Sequence, residues 1–306
     1  VMEDERGPNS EHKQNNLSFL EHLEVIRKIL VRSIAVICVF TVVAFVYSEA
    51  IFDKIILAPT QVKRFPTYAW MCQASHWLGP VAPWLGVDPQ SGCIESFPFQ
   101  LTTNTMGGDF MAVMLVAFIF GCIASAPYLF WQIWKFIKPA LHQKEAKKAK
   151  GFVFWTSVLF LLGVGFGYYI ISPLSISFLG TFSAHKDIVK LPTLNSYMGV
   201  LASTTLATGL AFELPIFLLT FNLIGFLRGK TILRPWRIWI FVIFFFVAAL
   251  SPTADPLSMV LLSAPLILFY FMAGIIAVFI DKKRDKKQEL VETGSKTIEA
   301  PTSIKE

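Results

Sequence analysis

Charge is scarce in this sequence. Asp, Glu, Lys and Arg make up 16% of its 306 residues, where a soluble globular domain carries about 25%. That deficit, beside 54% hydrophobic residues with 29 Phe and 8 Trp, excludes a disordered chain and argues against a water-soluble fold. Cysteine is scarce as well. The four Cys show no CxxC and no Cys/His spacing, so no metal signature is read and no metal or cofactor is expected. HExxH, GxSxG and Walker patterns are missing. The five His fall in tails and loops. No nucleophile–base pair stands out, so the chain is not read as an enzyme. No internal repeat is visible either, which weakens the commonest transporter architectures.

Long apolar runs are what the sequence does have. A membrane span needs about 20 apolar residues. Runs meeting or approaching that length lie at 30–52, 110–134, within 151–185, 194–227, 238–254 and 257–280. Pro173 is expected to end or bend the third helix. The fold class expected is therefore an all-α polytopic membrane protein with six transmembrane helices, a long first outer loop, and short fifth and sixth helices. The fifth run holds only 17 uncharged residues, about 25 Å of helix at 1.5 Å each, against a hydrocarbon core of about 30 Å. The domain organisation expected is a disordered tail over 1–16, a membrane domain over 17–283 with an outer-loop insertion at about 61–100, and a disordered tail over 284–306. No cleavable signal peptide is expected, because the first 28 residues are polar and charged.

Most of the 27 Lys and Arg gather in four places: before the first run, after the second, after the fourth and after the sixth. The other side holds only Lys54, Lys63, Arg64, Lys186 and Lys190. The bias of Lys and Arg toward the cytoplasm then puts both termini inside. Trp131, Trp134, Trp155, Trp236 and Trp239 fall at the cytoplasmic span ends, as interfacial anchors should. Trp70, Trp77 and Trp84 share the outer loop, where Pro80 and Pro83 argue against one continuous helix.

Several residues invite a functional reading. Glu213, in GLAFELPI at 209–216, is the one carboxylate well inside a span. Intramembrane acids are costly and read as functional by default; the structural alternative is a Glu protonated or bonded to a neighbouring helix. Pro215 follows two residues later and should loosen the backbone of the preceding turn. Asp255, in SPTADP at 251–256, reads first as an outer-turn residue, since Asp before Pro starts turns. Glu145 is the one acid in a basic loop, and by composition alone it is a surface charge. Gly163 and Gly167 form one GxxxG, read as close helix packing. Cys72 and Cys93 share the outer loop, where an oxidising compartment favours a disulfide worth about 3 kcal/mol in the chain-entropy model. Cys38 and Cys122 read as small apolar core residues.

Four strings carry a resemblance. Residues 18–28, SFLEHLEVIRK, look like the opening HLxELRxR of a known family. Residues 125–141, SAPYLFWQIWKFIKPAL, followed by Lys144 and Glu145, look like its second span and first cytoplasmic loop; FELP at 212–215 and SPTAD at 251–255 match later signatures. The chain resembles the TatC family, receptor subunits of the twin-arginine protein translocase, over about residues 17–283. The resemblance implies a core subunit in the cytoplasmic (inner) membrane of a bacterium. It would bind twin-arginine signal peptides and, with TatA- or TatB-like single-span partners, export folded proteins on the proton-motive force. It implies that Glu145 contacts the arginine pair, with Glu24, Arg27, Phe136 and Pro139 in the same signal-peptide site, and that Glu213 and Pro215 dock a partner helix. Guanidinium and carboxylate pair bidentately, which is the physical reason an acid is needed. The family's ELR glutamate does not carry over: Val25 stands there, and Glu24 lies one residue earlier, about 100° around a helix. The alternative function is a proton-coupled secondary transporter of a small solute using Glu213.

Overall fold

The computed structural model describes residues 19–62, 65–81, 93, 101–137, 149–181, 191–250 and 256–298, and they are almost entirely helical. In chain order the α-helices of five or more residues are α1 (Phe19–Val46), α2 (Pro66–Val81), α3 (Gly108–Ile137), α4 (Ala149–Phe166), α5 (Ser172–Thr181), α6 (Leu194–Ala211), α7 (Leu214–Ile224), α8 (Gly229–Leu233), α9 (Trp236–Leu250) and α10 (Pro256–Ile298). Hydrocarbon offers backbone groups no partner, so each apolar run must satisfy its own N–H and C=O groups, and the helix does this. Among the described residues, five stretches are long and apolar enough to cross a membrane: Glu24–Val46, Gly108–Phe136, Val153–Gly180, Leu194–Ile224 and Ser258–Lys286. The fifth apolar run forms the shorter Trp236–Ala249 helix. The 15 residues of α9 rise about 22 Å.

Two expectations at the C-terminal end are corrected. The sixth helix is not short: α10 runs for 43 residues. Nor is the chain irregular from 284 onward, for that helix continues to Ile298. After Ile280 the sequence turns charged but stays rich in Lys, a good helix former, and no Pro occurs in it before Pro301. The tail expected over 1–16 lies outside the described residues, as does half of the insertion.

Small residues set the packing. An added Cβ on Gly121 of α3 would lie 2.8 Å from the Thr41 backbone N, so α1 and α3 cross almost in backbone contact. The GxxxG pair packs within the chain. A Cβ on Gly163 would meet Phe212 at 2.8 Å and the Gly209 Cα at 3.0 Å, and one on Gly167 would meet Thr208 at 2.9 Å, which joins α4 to α6. The main core gathers Ile171, Phe212, Ile243, Val247, Leu266 and Tyr270.

One end of the bundle is tied by aromatic hydroxyls. Two π-helical turns, Phe52–Ile56 and Gly167–Ile171, face one another. Tyr168 and Tyr197 donate to the carbonyls of Ile55 and Ile56, each at 2.7 Å. Tyr68 of α2 donates to the Pro59 carbonyl at 2.8 Å, and burial pushes its phenol well above the usual range. Phe65 stacks on Tyr169 with ring centroids 5.6 Å apart. Helix α2 is thereby fastened to the bundle, and it continues through Pro80 to Val81 instead of breaking before it.

Candidate functional site

The fourth apolar run is two helices with a joint. α6 ends at Ala211, Phe212 and Glu213 form a turn, and α7 starts at Leu214. Pro215 explains the joint. It has no N–H to continue the preceding helix, and its fixed φ suits the first turn of a new one. Glu213 occupies the N-cap position of α7, and its carbonyl accepts from the N–H groups of Ile216 and Phe217, each at 3.0 Å. Phe212 holds the joint in place. Its ring lies 5.5 Å from that of Phe166 and 5.3 Å from that of Phe269, so α4 and α10 brace the turn from two sides.

The Glu213 side chain is only 2% exposed. Its Oε1 is buried and, among the described residues, has no hydrogen-bond partner. An orphaned buried polar atom costs about 1–3 kcal/mol. A partner that supplies one hydrogen bond relieves that cost, which is the chemical capability of this joint. Pro215 is buried beside it.

The remaining expected site residues divide between places. Glu24 and Arg27 lie on the exposed first turns of α1. Glu24 is engaged by Lys28 at 2.7 Å, with both side chains about three-fifths exposed, an i,i+4 pair on one helix face. Phe136 is exposed near the end of α3. Glu145, Pro139 and Asp255 lie outside the described residues. Trp134 differs from its expected interfacial role: it is buried at 6%, whereas Trp131 and Trp155 are exposed.

Cys72 and Cys93 are joined in a disulfide, with Cα atoms 4.4 Å apart. Folding adds something the sequence reading did not count, because His76 stands one helical turn from Cys72. The candidate ligand atoms of Cys72, His76 and Cys93 all lie within 4.8 Å of one another. Metal binding needs thiolates, and a disulfide has none, so the group offers a metal no thiolate as it stands.

Sequence reasoning also missed a polar latch at the other end of the bundle. Asp281 of α10 accepts from the Gly229 N–H at 2.6 Å and from Asn222 Nδ2 at 3.0 Å, and Asn222 Nδ2 also donates to the Leu227 carbonyl at 2.8 Å. Arg284 stands 3.8 Å from the same carboxylate. The available signal was two polar residues, Asn222 and Asp281, each at the end of an apolar run.

The family model for the Sec-independent protein translocase protein (TatC) matches residues 21–265. A protein of that name from Blattabacterium is 30% identical over 273 residues, covering 89% of this chain and 99% of its own length. One from Koribacter versatilis is 28% identical, covering 92% of this chain and 93% of its own. Among solved structures, a crystal structure of the twin-arginine translocase receptor TatC in DDM superposes with a TM-score of 0.61 at 23% identity. It covers 84% of this chain and 99% of that one, a likeness of fold. These comparisons give the small-solute transporter reading no support.

Proposed function

The chain belongs to the TatC family of Sec-independent protein translocase subunits, and on that premise we propose that it is the receptor core of a twin-arginine export machine. It is a transport protein of several membrane-spanning helices and not a classical enzyme. In this proposal it lies in the bacterial inner membrane with six spans and both termini cytoplasmic, as the Lys and Arg bias favours. Glu145 binds the arginine pair of the signal peptide. Arg27, Phe136 and Pro139 complete that surface, with Glu24 as a helper once it leaves Lys28. Single-span TatA- or TatB-like subunits dock at the joint beside Glu213 and Pro215, Asp255 turns the chain on the outer side, and the proton-motive force drives passage of folded cargo.

The observation that carries this reading is the Glu213 carboxyl, buried at 2% with an oxygen left unpaired inside an apolar bundle. An ionised carboxylate at that depth costs about 2.5–3.5 kcal/mol or more, and a partner's hydrogen bond in a membrane returns about 0.6–2 kcal/mol. The result is weak, reversible docking, as an assembly that forms on demand requires. The test compares Glu213→Ala and Glu213→Gln with Glu145→Ala in export and crosslinking assays. Glu213→Ala should lose partner recruitment and export but keep signal-peptide crosslinks. Glu145→Ala should lose the crosslinks. Full export by Glu213→Ala would refute the docking role, and Glu213→Gln matching Glu213 would make the residue a hydrogen-bonding group and not a proton carrier.

A further inference from the structure

The disulfide on α2 has a neighbour that the export reading leaves unused. Cys72 and His76 stand four residues apart on α2, so their side chains leave the same face of the helix, one turn apart. Cys93 reaches that face from outside the helix and is bonded to Cys72. The two sulfurs and an imidazole nitrogen of His76 all lie within 4.8 Å of one another. His76 is exposed and both cysteines are half-buried, so small solutes reach the group. The helix that carries two of the three residues is fixed at its start. Thr67 donates its hydroxyl to the Tyr169 carbonyl, and Tyr68 donates to the Pro59 carbonyl at 2.8 Å. The Phe65 ring packs on those of Tyr168 and Tyr169, each with centroids 5.6 Å away. Cys72 and His76 are thus presented by an element that the bundle holds in place.

Opening the bridge turns this group into a ligand set. A dithiol delivers two electrons and two protons to the Cys72–Cys93 bond, which becomes two thiols, and the dithiol leaves as its own cyclic disulfide. Each thiol then gives its proton to solvent as it binds a metal. Two thiolates and a neutral imidazole suit zinc, whereas Mg²⁺ and Ca²⁺ ask for oxygen ligands. Tetrahedral zinc, with Zn–S of about 2.3 Å and Zn–N of about 2.0 Å, sets its sulfurs about 3.8 Å apart and each sulfur about 3.5 Å from the nitrogen. The observed 4.8 Å spread already contains those separations. A disulfide holds its sulfurs about 2 Å apart, so they need to part by about 2 Å more, the reach of one side-chain torsion. We infer that Cys72, His76 and Cys93 form a redox-gated zinc site, closed while the disulfide stands and open to one Zn²⁺, with water in the fourth position, once a dithiol has reduced it. Either state ties Cys93 to α2, by a covalent bond in one and through the metal in the other. The site is independent of the signal-peptide and partner-docking readings.

The test uses the full chain, tag-free and in detergent, as two samples. One keeps its bridge. The other is reduced with a dithiol, which is removed without air before zinc is added, because it would itself hold the metal. Cys38 and Cys122 are thiols in both samples, so any difference between the two belongs to the bridge. Against a competing chelator, the reduced protein should bind one Zn²⁺ per chain, release protons as it does so, and reoxidise more slowly once loaded. The bridged protein should bind at least about 100-fold more weakly, and His76→Gln should weaken the reduced site by more than about tenfold, because even an outer-shell partner of a ligand is worth about 10–100-fold. Co²⁺ in place of zinc should show thiolate-to-metal charge-transfer absorption that Cys93→Ser abolishes. Should Cys93→Ser fail to fold, the bridged sample supplies the comparison without those thiolates. Mg²⁺ should not compete. Equal zinc affinity in the two redox states would overturn the site, as would undiminished affinity in His76→Gln or a bridge that resists excess dithiol in the folded protein.

Discussion

Removing the Asp281 carboxylate should destabilise the bundle more than any other single change at its latch. Asp281 accepts two hydrogen bonds, from the Gly229 N–H at 2.6 Å and from Asn222 Nδ2 at 3.0 Å. A bond to a charged group contributes about 1.5–3 kcal/mol. In Asp281→Ala the Gly229 N–H loses its partner, while Asn222 keeps the Leu227 carbonyl at 2.8 Å. The loss is therefore one full bond and part of a second, about 3 kcal/mol. Arg284 adds little, since that pair is 3.8 Å apart and its guanidinium is 35% exposed. Asp281→Asn leaves an acceptor for Gly229 without the charge and should cost about half as much. Asn222→Leu is the discriminating variant. Asn222 is wholly buried and its Oδ1 has no partner among the described residues. The substitution thus deletes an unsatisfied acceptor along with the donor, and should cost less than about 1 kcal/mol. Unfolding in mixed micelles by SDS titration gives the order. If Asp281→Ala stays within about 0.5 kcal/mol of wild type, or Asn222→Leu costs as much as Asp281→Ala, the latch does not work as described.

Thiol counting on the unfolded, non-reduced protein should find two reactive groups, Cys38 and Cys122; four would mean the Cys72–Cys93 bridge does not form. Gly163→Ala should destabilise by about 1–3 kcal/mol through its 2.8 Å approach to Phe212. Gly165→Ala, whose added Cβ meets nothing within 4 Å, should be neutral or stabilise by up to about 1 kcal/mol, and a reversal of that order in thermal melts refutes the packing argument. Glu24→Ala should leave stability essentially unchanged, because the pair with Lys28 is exposed. The same variant should weaken signal-peptide crosslinking far less than Glu145→Ala; an equal loss would promote Glu24 to a principal contact. The short α9 should make the protein less stable in bilayers of longer acyl chains, and insensitivity to chain length would show that its neighbours already absorb the mismatch.

How much of this was legible depends on the range of the interaction. Apolar runs declare spans locally, because hydrocarbon leaves the backbone no choice but to pair within its own segment. The joint at Glu213 was half legible, since Pro215 announces a break but not the bracing of Phe212 by Phe166 and Phe269. Of the latch, only its two polar residues at the ends of apolar runs were legible, not their pairing. Asp281 meets Gly229 and Asn222 across 52 and 59 residues, and no local pattern encodes that pairing. His76 beside the disulfide is hidden for a similar reason, because Cys93 arrives from outside the helix that spaces the other two.

The misread end of α10 has a different cause. The charged stretch after Ile280 marks where the chain leaves hydrocarbon but not where the helix stops. These are separate physical events. The first is set by transfer free energy, which changes sign between Ile280 and Asp281. The second requires a breaker or a cap, and residues 281–298 contain no Pro and one Gly, Gly294, with good helix formers before it. Asp281 makes the separation useful. A helix that ended at the membrane surface would leave that carboxylate on a fraying last turn, whereas one that continues to Ile298 holds it in a fixed place against Gly229 and Asn222.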